Sequence, residues 1–260
     1  MIFFGFIKST AMRMALLASF AVGIGLSAPA LALDAADKTE IEDILRNYLL
    51  KNPELLIEMQ QSLEVKRKSE ALARAKKAIS EKSDLIFSSK NQFSIGAKNG
   101  DVTVVEFFDY NCPFCKRAMG DMLTLLKNDK KLNFVMKELP ILSEGSVQAH
   151  RVSTALGRMA PEKYAEYHER LMNAPGQKNG DRALQIAGQM GIDVNKLREL
   201  AKDESINDAF REVNQLSTDL GISGTPSYVI GNEVIFGALG AAVLSEKIAN
   251  MRKCGSTTCS

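Results

Sequence analysis

Val104-Val105-Glu106-Phe107-Phe108-Asp109-Tyr110-Asn111-Cys112-Pro113-Phe114-Cys115 joins a strand to a helix and places two cysteines, two residues apart, at the junction. Residues 102–108 are apolar and β-branched enough to lie inside a sheet, apart from Glu106. Pro113 lacks an N–H and suits a first helical turn, so Cys112 falls near the N-cap and Cys115 one turn in, with both sulfurs on one face. The unpaired N–H groups and the positive end of the helix dipole favour the Cys112 thiolate. A thiol of reference pKa about 8.5 can drop to roughly 3.5–7.5 in such a setting, and Lys116 and Arg117 are expected to add positive potential. Cys112 is therefore the expected nucleophile. Cys115 is the expected resolving thiol, attacking a mixed disulfide formed at Cys112. Half of a zinc site and a pair of structural cysteines are the alternatives. Zinc needs about four ligands, whereas the histidines are only His150 and His168 and no second short CxxC is present.

The first 32 residues have the form of a secretory signal: Lys8 and Arg13 supply positive charge, Ala15 to Leu26 an apolar core, and Ala30-Leu31-Ala32 a small-x-small site. Cleavage after Ala32 is expected, with an uncleaved anchor as the alternative. Outside the cytosol a disulfide persists, so a CxxC there can act on disulfides of exported proteins. Removing the segment takes two of the 33 basic residues and none of the 31 acidic ones, leaving the two counts equal. A near-neutral chain argues against a nucleic-acid partner, which requires a basic surface.

Residues 34–82 contain no Gly and one Pro, and they are rich in Glu, Lys, Leu and Ala, a helical composition. Thr39-Glu40-Ile41-Glu42 fits a capping box. Ile41, Ile44, Leu45, Tyr48 and Leu49 form an apolar stripe, Asn52-Pro53 restarts the helix, and Leu55, Leu56, Met59 and Leu63 carry the next stripe. Residues 64–83 are strongly charged and read as a helical linker. The stripes of residues 33–63 either fold back on the rest of the chain or associate between copies; association is the favoured expectation.

Beyond the arm, Leu85–Phe87 looks strand-like, Lys98-Asn99-Gly100-Asp101 forms a turn, and strand 102–108 follows. A helix to about Lys127 then leads into strand Leu132–Glu138, completing a strand-helix-strand unit. Residues 145–221 read almost wholly as helices broken near Ala160-Pro161, Asn173–Gly180 and Gly191, before strands at Ser227–Ile230 and Glu233–Phe236 and a last helix to about Arg252.

Gly221-Ile222-Ser223-Gly224-Thr225-Pro226-Ser227 places a proline between a glycine-containing turn and a strand. Together with Phe-Phe-Asp-Tyr-x-Cys-Pro-x-Cys, this segment resembles the thioredoxin fold in its DsbA-type bacterial branch, over about residues 84–252. The resemblance implies an α/β, thioredoxin-like fold with a helical insertion at about 140–222, preceded by an N-terminal helical arm. It also implies that Cys112 is an exposed nucleophile, Cys115 the resolving thiol and Pro226 a cis-proline beside them. Substrate would pair with the backbone there as an added strand, leaving Pro113 and Phe114 as further substrate contacts and Thr225 to tune affinity and thiol pKa. Glu106 matches a buried family carboxylate that could shuttle the proton of Cys115, the alternative being a surface-facing edge residue. Ile41 to Glu54 resembles the leading segment of ScsC-like and Com1-like proteins, where such segments can drive trimerisation. Members of that group are periplasmic disulfide isomerases or oxidases, some linked to copper tolerance.

The expectation is thus an exported oxidoreductase in the periplasm that acts on cysteine-containing exported proteins, is recycled by a membrane thiol-redox partner, and needs no cofactor or metal. An oligomer, a trimer by resemblance, would favour isomerase or reductase work; a monomer would favour oxidase work. Copper binding through soft thiolates is an alternative of a different class. Cys254-Gly255-Ser256-Thr257-Thr258-Cys259 departs from the resemblance. A local structural disulfide is the favoured reading of that pair, with an auxiliary redox or metal-binding pair left open.

Overall fold

The computed structural model describes residues 34–259, so the signal-like segment and its expected cleavage after Ala32 lie outside the described residues. By its internal contacts the chain divides after Met59. In the N-terminal unit, α1 (Ala35–Lys51) begins one turn earlier than the Thr39 capping box predicts. Asp34 takes that role: its carboxylate accepts from the amides of Ala36 and Asp37, and Asp37 accepts from the Asp34 amide at 3.0 Å. Thr39 instead lies mid-helix and donates back to the Ala35 carbonyl at 3.0 Å. The Asn52 side chain donates to the Tyr48 carbonyl at 2.7 Å and ends α1. No residue of α1 is buried. After Pro53, α2 (Glu54–Glu81) runs without a break through residues 63 and 64, where composition changes from apolar stripe to charged linker.

From Gln60 onward, the last turns of α2 bury Ala75 and Ile79 against Ile86, Val105 and Val135. Residues 85–87 are helical, not a strand: α3 (Ser83–Phe87) closes through the bonds from Ile86 N to Lys82 O and from Ser88 N to Asp84 O. Three apolar residues cannot distinguish the two periodicities, and only Ile86 of them is buried. The first strand is β1 (Phe93–Gly96), followed by β2 (Val102–Phe108), α4 (Pro113–Asn128) and β3 (Leu132–Glu138). β4 (Ser227–Ile230) and β5 (Glu233–Phe236) complete a sheet of order β1-β3-β2-β4-β5. The β2–β3 pair is parallel and the others are antiparallel.

The central position of β2 decides where its side chains go. Val105 and Phe107 join the apolar layer under α2 and α3, and the alternation of a strand sends Val104, Glu106 and Phe108 to the opposite face. That face is covered by α4 and by helices between β3 and β4: α5 (Glu144–Met159), a 3₁₀ turn (Pro161–Lys163), α6 (Tyr164–Asn173), α7 (Gly180–Gln189) and α8 (Val194–Leu200), while α9 (Ser205–Asp219) divides, Ile206 and Phe210 joining this side and Val213 and Leu216 the layer of Val105 and Phe107. The last helix is α10 (Ala241–Cys254). The face carrying Glu106 is therefore also the face carrying Cys112 and Cys115.

Asp109 ties the end of β2 to the inserted helices. One of its oxygens accepts from the Asn111 amide at 2.7 Å and from Ser146 Oγ at 2.8 Å; the other accepts from the amides of Ile141 and Leu142 at 2.9 and 3.1 Å. Asn111 extends the clamp, donating to the Lys178 carbonyl at 2.8 Å and accepting from the Lys178 amide at 2.7 Å. Replacing Asp109 by Ala strands four donors, so D109A should lose about 3 kcal/mol or more. A lowered urea midpoint with an unchanged m-value is the expected result.

Candidate active site

Cys112 caps α4 with its own sulfur, which accepts from the Cys115 amide at 3.4 Å, and Pro113 occupies the first helical turn. The Thr225-Pro226 peptide is cis, and the Thr225 carbonyl accepts from the Cys112 thiol at 3.1 Å. Cys112, Cys115, Thr225 and Pro226 are thus brought together from the two halves of the sheet. The expectation of an exposed nucleophile is corrected: Cys112 is 5% exposed, because the Thr225-Pro226 bend covers one side of it. It remains reachable from the other side, where it lines a cavity of about 460 Å³.

The two thiols are displaced in opposite directions. Hydrogen bonding from the Cys115 thiol, with help from the Thr225 side chain and the amides of Phe114 and Cys115, outweighs desolvation and lowers the Cys112 pKa to about 6. Burial, the hydrogen bond to Cys112 and the nearby Glu106 charge push Cys115 far above the ordinary thiol range. The hydrogen bonds at Cys112 outrank the positive potential expected of Lys116 and Arg117. Lys116 Nζ donates to the Asn173 carbonyl at 3.2 Å, and the Arg117 guanidinium lies 5.1 Å from the centre of the Phe114 ring. Thr225 Oγ1 is buried with no other hydrogen-bond partner among the described residues, so it is free to serve the Cys112 thiolate.

Glu106 is 3% exposed and sits on the interior strand β2, paired with Met136 and Tyr228, which removes the edge-facing alternative. Burial first, then the charges of Cys112 and Asp121, raise its pKa to about 8, so the carboxyl is mostly protonated at pH 7. Phe114 is 55% exposed beside the thiols, and Ile141, Leu142 and Leu239 are further exposed apolar side chains. Cys254 and Cys259 are joined in a disulfide at the end of α10, leaving Cys112 and Cys115 as the free thiols.

A buried polar network behind the thiols is absent from the motif-based expectations. Glu138 accepts from Ser153 Oγ at 2.5 Å, Thr154 Oγ1 at 2.6 Å and Tyr164 Oη at 3.2 Å, while His150 Nε2 accepts from the Tyr110 amide at 3.2 Å. Tyr110 Oη lies 2.8 Å from Ser153 Oγ and 3.1 Å from His168 Nδ1. Burial and the neighbouring His150 depress the His168 pKa to about 3, so this imidazole stays neutral. The two histidines, weighed above only as zinc ligands, fix the segment that enters the CxxC. The spacing of His150, Ser153 and Thr154 on one helix face was the available signal.

A sheet with this order, a CxxC opening its first crossover helix and a Thr-Pro bend facing it define a thioredoxin-like thiol protein. The DSBA-like thioredoxin domain matches residues 103–249, and the copper resistance protein ScsC N-terminal domain matches residues 37–70. The chain belongs to the DsbA-like thioredoxin-domain family, in its ScsC-like branch. It is similar to a thioredoxin-like oxidoreductase of Silicibacter pomeroyi at 35% identity, covering 66% of this chain and 98% of that one with a TM-score of 0.63. A linker-deletion mutant of Proteus mirabilis ScsC is 25% identical over 86% of this chain and 99% of its own, with a TM-score of 0.66. Disulfide bond formation protein D of Bacillus subtilis is 26% identical over 160 residues, which is 56% of this chain and 70% of that protein. The chain also matches a Na(+)/H(+) antiporter, NhaA 3 of Salinispora tropica, at 26% identity, and there it spans 24% of the relative's length. Among the described residues no helix is long and apolar enough to cross a membrane.

The thiolate absorbance of the reduced protein should titrate with a midpoint near pH 6. C115A and T225V should each raise that midpoint, and C112S should remove the transition. The sign for stability follows. A thiol depressed from 9.0 to about 6 stabilises the reduced fold fully above pH 9, and that contribution is lost as pH falls through 6. Chemical denaturation of reduced wild type and C112S over this window should show the difference.

Proposed function

We propose that this chain is an exported thiol-disulfide oxidoreductase acting on cysteine-containing exported proteins through a mixed disulfide at Cys112, as an oligomeric disulfide isomerase or reductase. The observation that carries it is the opposite displacement of the two thiols, one poised to attack at neutral pH and its neighbour held protonated. The Cys112 thiolate attacks one sulfur of a substrate disulfide, the S–S bond breaks, and the other substrate sulfur leaves as a thiolate. In isomerisation that thiolate attacks elsewhere in the substrate, and Cys112 is returned when another substrate thiolate displaces it. In net reduction the Cys115 thiolate attacks the Cys112 sulfur and expels the second substrate thiolate. The pair is then oxidised by two electrons and awaits a membrane thiol-redox partner.

Glu106 supplies the proton acceptor for that second step. Its carboxyl is kept neutral partly by the Cys112 charge. Forming the mixed disulfide removes this charge and lowers the Glu106 pKa, so that its proton passes to the departing substrate thiolate and the carboxylate left behind can take the proton of Cys115. Pro113, Phe114 and the backbone at Thr225-Pro226 form the proposed substrate wall, with Phe114 exposed for apolar contact. Multiple copies would associate through the arm, where Ile44, Leu45, Tyr48 and Leu49 are each more than half exposed. Several sites facing one captured substrate favour reshuffling over release.

A dithiol oxidase is the second reading. It is supported by the stabilised thiolate, since favouring the reduced form makes the disulfide form more oxidising. Insulin reduction, scrambled-ribonuclease refolding and dithiol oxidation assayed side by side separate the two. An isomerase leads in refolding and loses that lead when residues 34–59 are removed, whereas an oxidase leads in the third assay with or without them. C112S should be inactive in all three. E106Q should slow release of the second substrate thiol by about a hundredfold while leaving the first step within about twofold in stopped-flow traces.

A further inference from the structure

The cavity beside Cys112 is lined on its far side by the loop before α7, and apart from the Cys112 thiolate its charged groups are cations. Lys178 is 8% exposed and lines the cavity with Lys116. The main chain of Lys178 is clamped by Asn111, so the side chain is placed by a rigid backbone. None of the ion pairs among the described residues includes Lys116, Lys178 or Arg182. The Lys178 ammonium has no hydrogen-bond partner there either, whereas Lys116 holds only the Asn173 carbonyl. Asp109, the nearest carboxylate along the chain to the CxxC, has both oxygens occupied by four donors. Burial, then Lys116 and Arg182, hold the Lys178 pKa below its ordinary value. The Lys178 stem is thus covered, while its ammonium is not among the sealed, unpartnered polar atoms and stays open to the cavity. Ser143 and Gln177 add neutral polar groups to the same wall.

We propose that this cavity is an anion subsite of the thiol-exchange site, receiving a carboxylate that the reacting partner carries within a residue or two of its sulfur. This rests on Cys112 being the attacking thiol, and it adds a substrate preference: disulfides flanked by Asp or Glu, or a small acidic thiol such as glutathione, dock ahead of neutral and basic ones. Lys178 is the specificity determinant and Lys116 its companion. The preference is electrostatic at short range, so it weakens with salt.

The test uses the full chain and three peptide disulfides identical except for Glu, Gln or Lys next to the reacting cysteine, together with oxidised glutathione. The rate of mixed-disulfide formation at Cys112 is read by stopped flow. The Glu peptide should react about fivefold to tenfold faster than the Gln peptide, with the Lys peptide slower still. K178Q should bring the Glu-to-Gln ratio to within about twofold, and K178R should keep it. K116Q provides the same comparison with a second residue should K178Q not fold. A Lys178 dependence confined to the peptide identifies an acidic side chain as the ligand; one confined to glutathione identifies the small thiol. Rates that depend on neither lysine for either substrate overturn the subsite while leaving the exchange chemistry standing. Absence of any reaction at Cys112 overturns the exchange chemistry itself.

Discussion

The Cys112 sulfur is held between the first turn of α4 and the Thr225-Pro226 bend, and its hydrogen bonds there determine what the rest of the site can do. A buried thiolate without donors would be strongly disfavoured, because burial raises a thiol pKa. At Cys112 the donors outweigh that penalty; at Cys115, one turn deeper, they do not. The same buried environment therefore yields one ionised and one protonated sulfur. The sheet supports this difference, since β2 feeds α4 and β4 continues directly from Pro226, and these two strands are hydrogen-bonded neighbours.

The inserted helices do more than cover the core. Asp109, Asn111 and Ser146 lock the loop that enters the CxxC to the start of α5 and to Lys178, and His150 holds the Tyr110 amide from the next turn of α5. A neutral His168 suits that position, because a charge there would be desolvated and close to His150. One consequence is that the wall of the substrate cavity and the geometry of the nucleophile share the same clamp. Changes in the insertion would reach Cys112 through Asn111.

The strands at 102–108, 132–138, 227–230 and 233–236 were legible because each is a short apolar or β-branched run bounded by turn residues. The CxxC and the Thr-Pro bend were legible as motifs, each a local pattern. What failed was also local: Leu85–Phe87 is too short to show a period, and the Thr39 capping box was outcompeted by Asp34, whose partner Asp37 serves the same purpose as Glu or Gln. The Glu138 network and the Lys178 wall depend on residues brought together across 15 to 67 positions of chain. No periodicity announces such meetings. Where the Lys116 and Arg117 side chains go, to the Asn173 carbonyl and over the Phe114 ring, is likewise something sequence proximity cannot show.

The central claim is that Cys112 alone of the two thiols is ionised and accessible at neutral pH. Timed alkylation of the reduced protein by iodoacetamide at pH 7, read cysteine by cysteine by mass spectrometry, tests it directly. The account predicts complete modification of Cys112 while Cys115 remains unmodified until the protein is unfolded. Equal rates at the two sulfurs, or modification of Cys115 first, would contradict it.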